Sequence, residues 1–285
     1  MSAVATFELA RLSNVAGAEI HGIDLAEPLS ATAKEEIEQA LLVHHVLVFR
    51  RQQLTKQQQL TFTQHFGELE NHVIRLANGE PAPLLHVISN LDGDGNPTAK
   101  PYSHGNYYWH TDKSYHAAPS FATLLHAVEL PPTGGDTQYA NMHRAYDALP
   151  AFKQAQIAEL QLVHSWEASR INTGNRPASA NEKRDRPPVR HPLVRTHPVT
   201  GRKSLYLGSH VSHVDGFNTE DSKALLTELH AFAEQDAFIY AHQWRAGDLV
   251  MWDNRCLLHR ATANFEMDKY RRVMHRTVIK GTIPQ

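Results

Sequence analysis

From residue 84 onward the apolar residues come in short runs of strand length, each closed by turn-forming residues. The runs cover residues 84–88, 121–130, 160–166, 193–196, 204–207, 238–244, 249–252 and 272–280. Between them stand Asp92-Gly-Asp-Gly-Asn-Pro97, Pro131-Pro-Thr-Gly-Gly135 and Pro198-Val-Thr-Gly201, all rich in residues that accept tight-turn geometry. Runs this short cannot form one long amphipathic helical face, so their apolar groups must be buried between stacked or closed sheets. The expected fold is mostly β with flanking helices, built on a double-stranded β-helix of the jelly-roll, cupin-like type.

The remaining signals fit around that core. Residues 6–12 and 18–23 read as short strands, and Val46-Leu47-Val48-Phe49 as a buried one. Ser30 is a plausible N-cap for a helix on which Ile37, Ala40, Leu41 and Val43 recur at helical spacing. Thr55 can cap a second helix running to about Phe66, with Gly67 as its stop, and a third helix is expected over residues 219–234. Residues 172–188, rich in Arg, Asn, Pro and Glu, read as an exposed loop within a lid-like insertion over 168–190. No repeat or linker divides the chain, so residues 1–285 are taken as a single catalytic domain.

The formal net charge of −2 gives no electrostatic reason to expect nucleic acid or an anionic membrane as partner. Cys256 is the only cysteine, which rules out an intrachain disulfide and favours a reducing compartment. The start, MSAVATFELARLS, lacks the basic and apolar pattern of a signal peptide, and no run approaches the roughly 18 apolar residues of a membrane span. A cytoplasmic protein is expected.

The chain has 20 histidines, and only spacing can separate chemistry from packing among them. In Tyr108-Trp-His-Thr-Asp112 an extended backbone would turn His110 and Asp112 to one face, with Thr111 on the other. A third ligand must come from elsewhere, and His259 closes the apolar stretch that begins at Asp248. Two imidazoles and one carboxylate on one face of a metal leave three positions open, the arrangement of non-haem iron(II) oxygenases. Downstream, Arg272 and Arg276 would share one face of a strand with residue 274, and a guanidinium fork suits a carboxylate.

These pieces resemble the taurine and 2,4-dichlorophenoxyacetate dioxygenase (TauD/TfdA) family. The resemblance rests on WHTD (109–112), LPPTGGDTQYANM (130–142), AYDALP (145–150), PLVRTHPVTGRKSLYLG (192–208), GDLVMWDNRCLLH (247–259) and RRVMHR (271–276). HGIDL (21–25), VLVFR (46–50) and FGELE (66–70) are similar as well, so the likeness spans nearly the whole chain. It implies a jelly-roll dioxygenase in which His110, Asp112 and His259 bind Fe(II). It further implies that 2-oxoglutarate is co-substrate, held by Thr137 and Arg272, and that O2 is consumed with release of succinate and CO2. Ascorbate is expected to stimulate turnover. The interval from His259 to Arg272 is longer than the family pattern, which leaves Arg271 as the alternative carboxylate partner. Asp112 disfavours halogenation, because related halogenases replace this carboxylate with a small residue.

For the substrate, Arg276 implies a small anion, carboxylate or sulfonate. Asn106 and His72 look like pocket residues of the taurine enzyme, although Arg75 stands where an aromatic residue is expected. His210 and His213, in Gly208-Ser-His-Val-Ser-His213, look closer to the phenoxyacetate branch, and Tyr107 and Tyr108 could shape an aromatic site. The expected reaction is hydroxylation of an aryloxyalkanoate next to its ether oxygen, with ether cleavage; a taurine-like alkylsulfonate is the alternative. From other classes, a zinc-dependent hydrolase or lyase and a non-catalytic small-acid sensor remain open. The resemblance also suggests a homo-oligomer, dimer or tetramer.

Overall fold

The computed structural model describes residues 6–70, 83–99 and 104–285. Its major sheet has seven strands in the spatial order β1 (Glu8–Arg11), β2 (Ala18–His21), β3 (Val46–Phe49), β13 (Leu249–Asp253), β5 (Ala122–Glu129), β15 (Val273–Ile279) and β4 (His86–Ser89). All neighbours pair antiparallel except β2 and β3. A second sheet sets β6 (Thr137–Asn141) between β12 (Ile239–His242) and β14 (Leu257–Ala261). Beyond it lie a three-stranded sheet, β11 (Val211–Val214), β7 (Gln161–His164), β8 (Val189–Pro192), and the pair β9 (Val194–Thr196) and β10 (Lys203–Leu205).

The central strands are apolar on both faces because both faces are covered. Along β3, Val46 and Val48 join Val250, Trp252 and Leu125 against Tyr139, Tyr240 and Leu257 of the second sheet. Their neighbours Leu47 and Phe49, with Leu249, Met251 and Leu124, pack instead on α1 (Ala31–His44) and α2 (Lys56–Gln64). Strand alternation thus divides one continuous run between an inter-sheet core and a helix-covered core. A third core joins β7, β9, β10 and β11 to α3 (Met142–Asp147), α4 (Ala151–Ile157) and α7 (Thr219–Ala233). This is the expected jelly-roll architecture with helices outside.

Local chemistry sets the helix boundaries. Ser30 accepts from the Ala33 N–H, as expected for the cap of α1, and Thr55 with Gln58 forms a full capping box on α2. The helix α2 ends at Gln64, short of Phe66, and Gly67 follows at φ +151°, where a Cβ would lie 2.7 Å from Ile279.

The segment expected as a bare loop is partly helical. The helix α5 (Trp166–Asn172) ends at its first residue and α6 (Ala180–Asp185) lies within it, starting from a capping box of Ser179 and Glu182, a Ser-x-x-Glu signal present in the sequence. Arg176 adds an ion pair to Glu182. No helix among the described residues is long and apolar enough to cross a membrane.

Candidate active site

The apolar stretch 248–259 is two strands rather than one. A turn at Asn254–Cys256 carries the chain from β13 in the major sheet to β14 in the second, and His259 lies on β14 opposite Tyr139. On its other side His259 meets His110: the His110 N–H donates to the His259 carbonyl at 3.1 Å, and the His259 N–H returns a bond to the His110 carbonyl at 2.8 Å. This single antiparallel rung sets the two imidazoles 4.2 Å apart, centroid to centroid.

Asp112 arrives by a different route from the expected alternation. The backbone turns at Asp112, and Lys113 is left-handed at φ 57°. Asn254 organises this turn. Its carbonyl accepts from the Thr111 hydroxyl at 2.8 Å, and its Oδ1 takes the Asp112 N–H at 3.4 Å and Trp252 Nε1 at 3.1 Å. Its Nδ2 donates to Thr123 Oγ1 at 2.9 Å, and that hydroxyl donates onward to Asp112 Oδ2 at 2.5 Å. Buried Lys113 is held by Glu70 at 3.2 Å, which anchors the far side of the turn. Asn254 and Thr123 carry no motif of their own; sequence reasoning passed over them because their role exists only once the sheets are stacked.

His110, Asp112 and His259 each offer one ligand atom, all within 4.8 Å of one another, and all three residues are buried. Burial opposes the Asp112 charge, but Arg276, the two imidazoles and the Thr123 hydroxyl outweigh it and hold the carboxyl well below its usual range. Burial pushes the pKa of both histidines down, which favours their neutral form. His110 Nδ1 lies 2.7 Å from the Tyr108 carbonyl, which can only accept; the proton is therefore on Nδ1 and the Nε2 lone pair is available. His259 Nδ1 is buried with no partner, polar capacity that the protein alone leaves unused. One anionic oxygen and two neutral imidazoles fit a divalent transition metal.

A buried cation, Arg272, lies near Tyr107 and near Tyr139, the residue opposite His259. Arg272 directly precedes β15 and is 9% exposed. Its Nε donates to the Gly135 carbonyl at 3.1 Å, while its Nη2 is buried without a partner. At Gly135, with φ +70°, a side chain would be strained, and its Cβ would lie 3.1 Å from Arg272 Cδ and Nε. Thr137 opens β6 beside it, and its hydroxyl accepts from Trp244 Nε1 at 3.0 Å. Asn90, also missed from sequence, takes the Arg272 N–H at 2.7 Å and donates to the carbonyls of Met267 and Tyr270, which pins the loop before β15. Arg271 points outward to Glu129 at 2.6 Å, so it is Arg272 that enters the site.

The β5–β15 register shifts between Val273 and Met274, where Val273 pairs with Glu129 and Met274 with Ala127, so the extra residue is Val128 of β5 and the alternation along β15 itself is unbroken. Arg276 shares a face with inner-core Met274; its Nη1 is 3.5 Å from Asp112 Oδ1, its Nη2 is 3.4 Å from His86 Nδ1, and its Nε lacks a partner. His210 is buried, its ring 5.9 Å from that of His110. His213 is a correction: it is exposed on β11 and bonds only its neighbour Ser212, so the strand turns it away from the cluster. Asn106 sits in the 3₁₀ turn His104–Tyr107 that leads into Tyr108 and His110. Tyr107 reaches Met267 Sδ at 3.9 Å and lies near Arg272, whereas Tyr108 is largely exposed. His72 and Arg75 lie outside the described residues.

Comparison with known proteins agrees with this geometry. Residues 8–278 match the family described as taurine catabolism dioxygenase TauD, TfdA family. The chain is 38% identical over 275 residues to the alpha-ketoglutarate-dependent 2,4-dichlorophenoxyacetate dioxygenase of Cupriavidus pinatubonensis, covering 93% of this chain and 95% of that one. It is 36% identical over 278 residues to the (S)-phenoxypropionate/alpha-ketoglutarate-dioxygenase of Sphingobium herbicidovorans, covering 95% and 94%. The crystal structure of AAD-2 in complex with Mn(II) and N-oxalylglycine superimposes with a TM-score of 0.88 at 38% identity over 98% of each chain. Fold, metal-ligand constellation and sequence agree: the chain belongs to the TauD, TfdA family of dioxygenases.

Proposed function

We propose that this chain is a 2-oxoglutarate-dependent non-haem iron dioxygenase that hydroxylates a small aryloxyalkanoate next to its ether oxygen. The observation that carries the reaction class is the buried His110–Asp112–His259 cluster together with the half-partnered Arg272. His110, Asp112 and His259 would hold the metal. When bound, iron(II) supplies the activation of O2 that is coupled to conversion of 2-oxoglutarate into succinate and CO2, and ascorbate would keep the metal reduced.

The protein's part is placement. Arg272 offers an unpaired guanidinium nitrogen, and Thr137 a hydroxyl, to the distal carboxylate of 2-oxoglutarate. Gly135 leaves room for that guanidinium beside the backbone, and its carbonyl accepts from Nε. Arg276, with Nε unpaired and a long contact to Asp112, is the cation for the substrate's own anionic group. Burial of these groups excludes water and strengthens each charge–charge contact. The aryloxyalkanoate reading draws on the two relatives named for phenoxy acids and on His210 beside the metal ligands. Hydroxylation at that carbon yields a hemiacetal that collapses to a phenol and an oxo acid.

A sulfonate such as taurine is the second reading, favoured by Asn106 in the turn leading to His110. The deciding experiment is succinate release with iron(II), ascorbate, 2-oxoglutarate and O2. Phenoxyacetate and 2-phenoxypropionate are compared with taurine and alkyl sulfonates. Stimulation by phenoxy acids supports the first reading and stimulation by sulfonates the second. Absence of succinate from a protein that holds zinc tightly would move a hydrolase to the front.

A further inference from the structure

Ser114, just past the turn that carries Asp112, is almost fully buried and meets two histidines through one hydroxyl. His210 Nδ1 lies 2.9 Å from Ser114 Oγ and His164 Nδ1 lies 3.0 Å from the same oxygen. A hydroxyl has one proton and two lone pairs; among the described residues its only partners are these two nitrogens, so the proton is satisfied only if Ser114 donates to one and accepts from the other. The two imidazoles must therefore be opposite tautomers as seen from Ser114. Both rings are buried, and the Ser114 hydroxyl that each meets carries no charge to hold an imidazolium, so each is treated as a neutral imidazole.

The far side of His164 decides the direction. His164 is fully buried, and its Nε2 has no partner. If Ser114 donated to His164, that Nε2 would have to carry a proton as a buried, unpaired N–H. If His164 donates to Ser114, Nε2 is only a bare lone pair, the less costly orphan. The loop cannot shift to relieve the choice, because His191 Nε2 bonds the carbonyls of both Ser114 and His116 at 3.0 Å. Proton order then runs from His164 Nδ1 to Ser114 Oγ and from Ser114 to His210 Nδ1, which leaves the His210 proton on Nε2.

The geometry points to His164 and Ser114 as positioning residues that lock His210 in its Nε2–H tautomer, so that the site offers its substrate a neutral hydrogen-bond donor. The donor complements the cationic Arg276: one recognises an anionic group, the other a neutral or weakly charged oxygen of the same acid. Tyr115 packs edge-on against the His210 ring at 4.9 Å and against Trp166 at 5.0 Å, which keeps the imidazole plane from rotating. The identity of the acceptor rests on the aryloxyalkanoate reading above, while the tautomer does not.

The test is a long-range 1H–15N imidazole spectrum of the full-length 15N-labelled protein loaded with zinc(II) and 2-oxoglutarate. The His210 signals are assigned by their loss in His210→Gln, and those of His164 by their loss in His164→Asn. His210 as Nε2–H with His164 as Nδ1–H is the expected result; His210 as Nδ1–H overturns the assignment. In the iron enzyme, Ser114→Ala should raise KM for the stimulating acid about tenfold, with kcat and the 2-oxoglutarate KM unchanged, and Ser114→Thr should restore it. An equal fall in turnover for both variants, with no change in KM, would show a merely structural role and sink the proposal. Should Ser114→Ala fail to fold, the wild-type spectrum decides alone. If no acid in the panel stimulates turnover, the substrate reading falls while the same spectra still decide the tautomer.

Discussion

Two buried carboxylates, Asp112 and Asp253, sit among histidines and arginines in this chain, yet they are built for different ends. Asp253 is saturated: Arg255 gives it the backbone N–H, Nε and Nη2 at 2.7–2.9 Å, and His197 Nε2 adds a fourth bond at 3.1 Å. His197 Nδ1 in turn accepts from the N–H groups of Val199 and Thr200, so that imidazole has nothing left to offer. Asp112 has one close partner, Thr123, and a long contact to Arg276; beside it His110 keeps a free lone pair, and His259 Nδ1 is unpartnered. Residue types and burial are nearly the same. What separates a strut from a site is the polar capacity left unspent.

The sharpest attempt to break that comparison is to remove each carboxylate in turn. Asp112→Ala should abolish stimulated succinate release, exceeding the roughly 10- to 100-fold typical of lost outer hydrogen-bond partners, while thermal unfolding of the metal-free protein changes little. Retained turnover in a folded Asp112→Ala protein would end the ligand assignment. Asp253→Ala should do the opposite, lowering stability by about 3–5 kcal/mol because Arg255 is left buried without its counter-charge. Denaturant unfolding checks this, and a change under 1 kcal/mol would contradict the strut reading.

A smaller effect separates the two arginines. Arg272→Lys keeps a charge but loses the fork, and should raise the 2-oxoglutarate KM about tenfold; Arg276→Lys should act on the acid's KM instead. The inverted pattern would mean that their roles are exchanged. Smallest is the effect of pH on stability. His45 and His143 are buried and His116 is half-buried, and their pKa values are lowered to about 3, 4 and 4, chiefly by desolvation. The unfolded chain protonates these groups near pH 6.5 and the folded one does not, so their contribution is complete above about pH 6.5 and is lost as pH falls toward 4. The depressed Asp253 alone would start to cost stability only near pH 4. Thermal unfolding between pH 7.5 and 5 should show the decline, and His143→Gln should flatten it.

Much of this was legible in the chain because its determinants are local. Ser30 and Thr55 announce their helices, and Val46–Phe49 reads as a buried strand from its composition alone. Motif order singled out His110, Asp112, His259 and Arg272, and the structure brings the first three together as a group that could hold a metal. The geometry that unites them did not follow from that order, because it depends on contacts across the stack. The Asp112 turn is set by Asn254, 142 residues away, and the inward path of Arg272 by Asn90, 182 residues away. His213 was misplaced for a related reason: a register shift in β11 between Val211 and His213 cannot be read from spacing, and it decides which histidine faces inward.

Setting His110 and His259 on one rung of a ladder ties the site to the opening of a strand pair in the second sheet. A pair of ligands on flexible loops could part and re-form without disturbing the fold, and metal would exchange freely. Here the backbones that carry the two imidazoles part only if the hydrogen bonds between them break, and β14 is also fixed along its length to β6. Metal loading should therefore slow deuterium uptake at the amides of β14 and β6, well beyond the ligands, and release of the ion should be paced by opening of that strand pair.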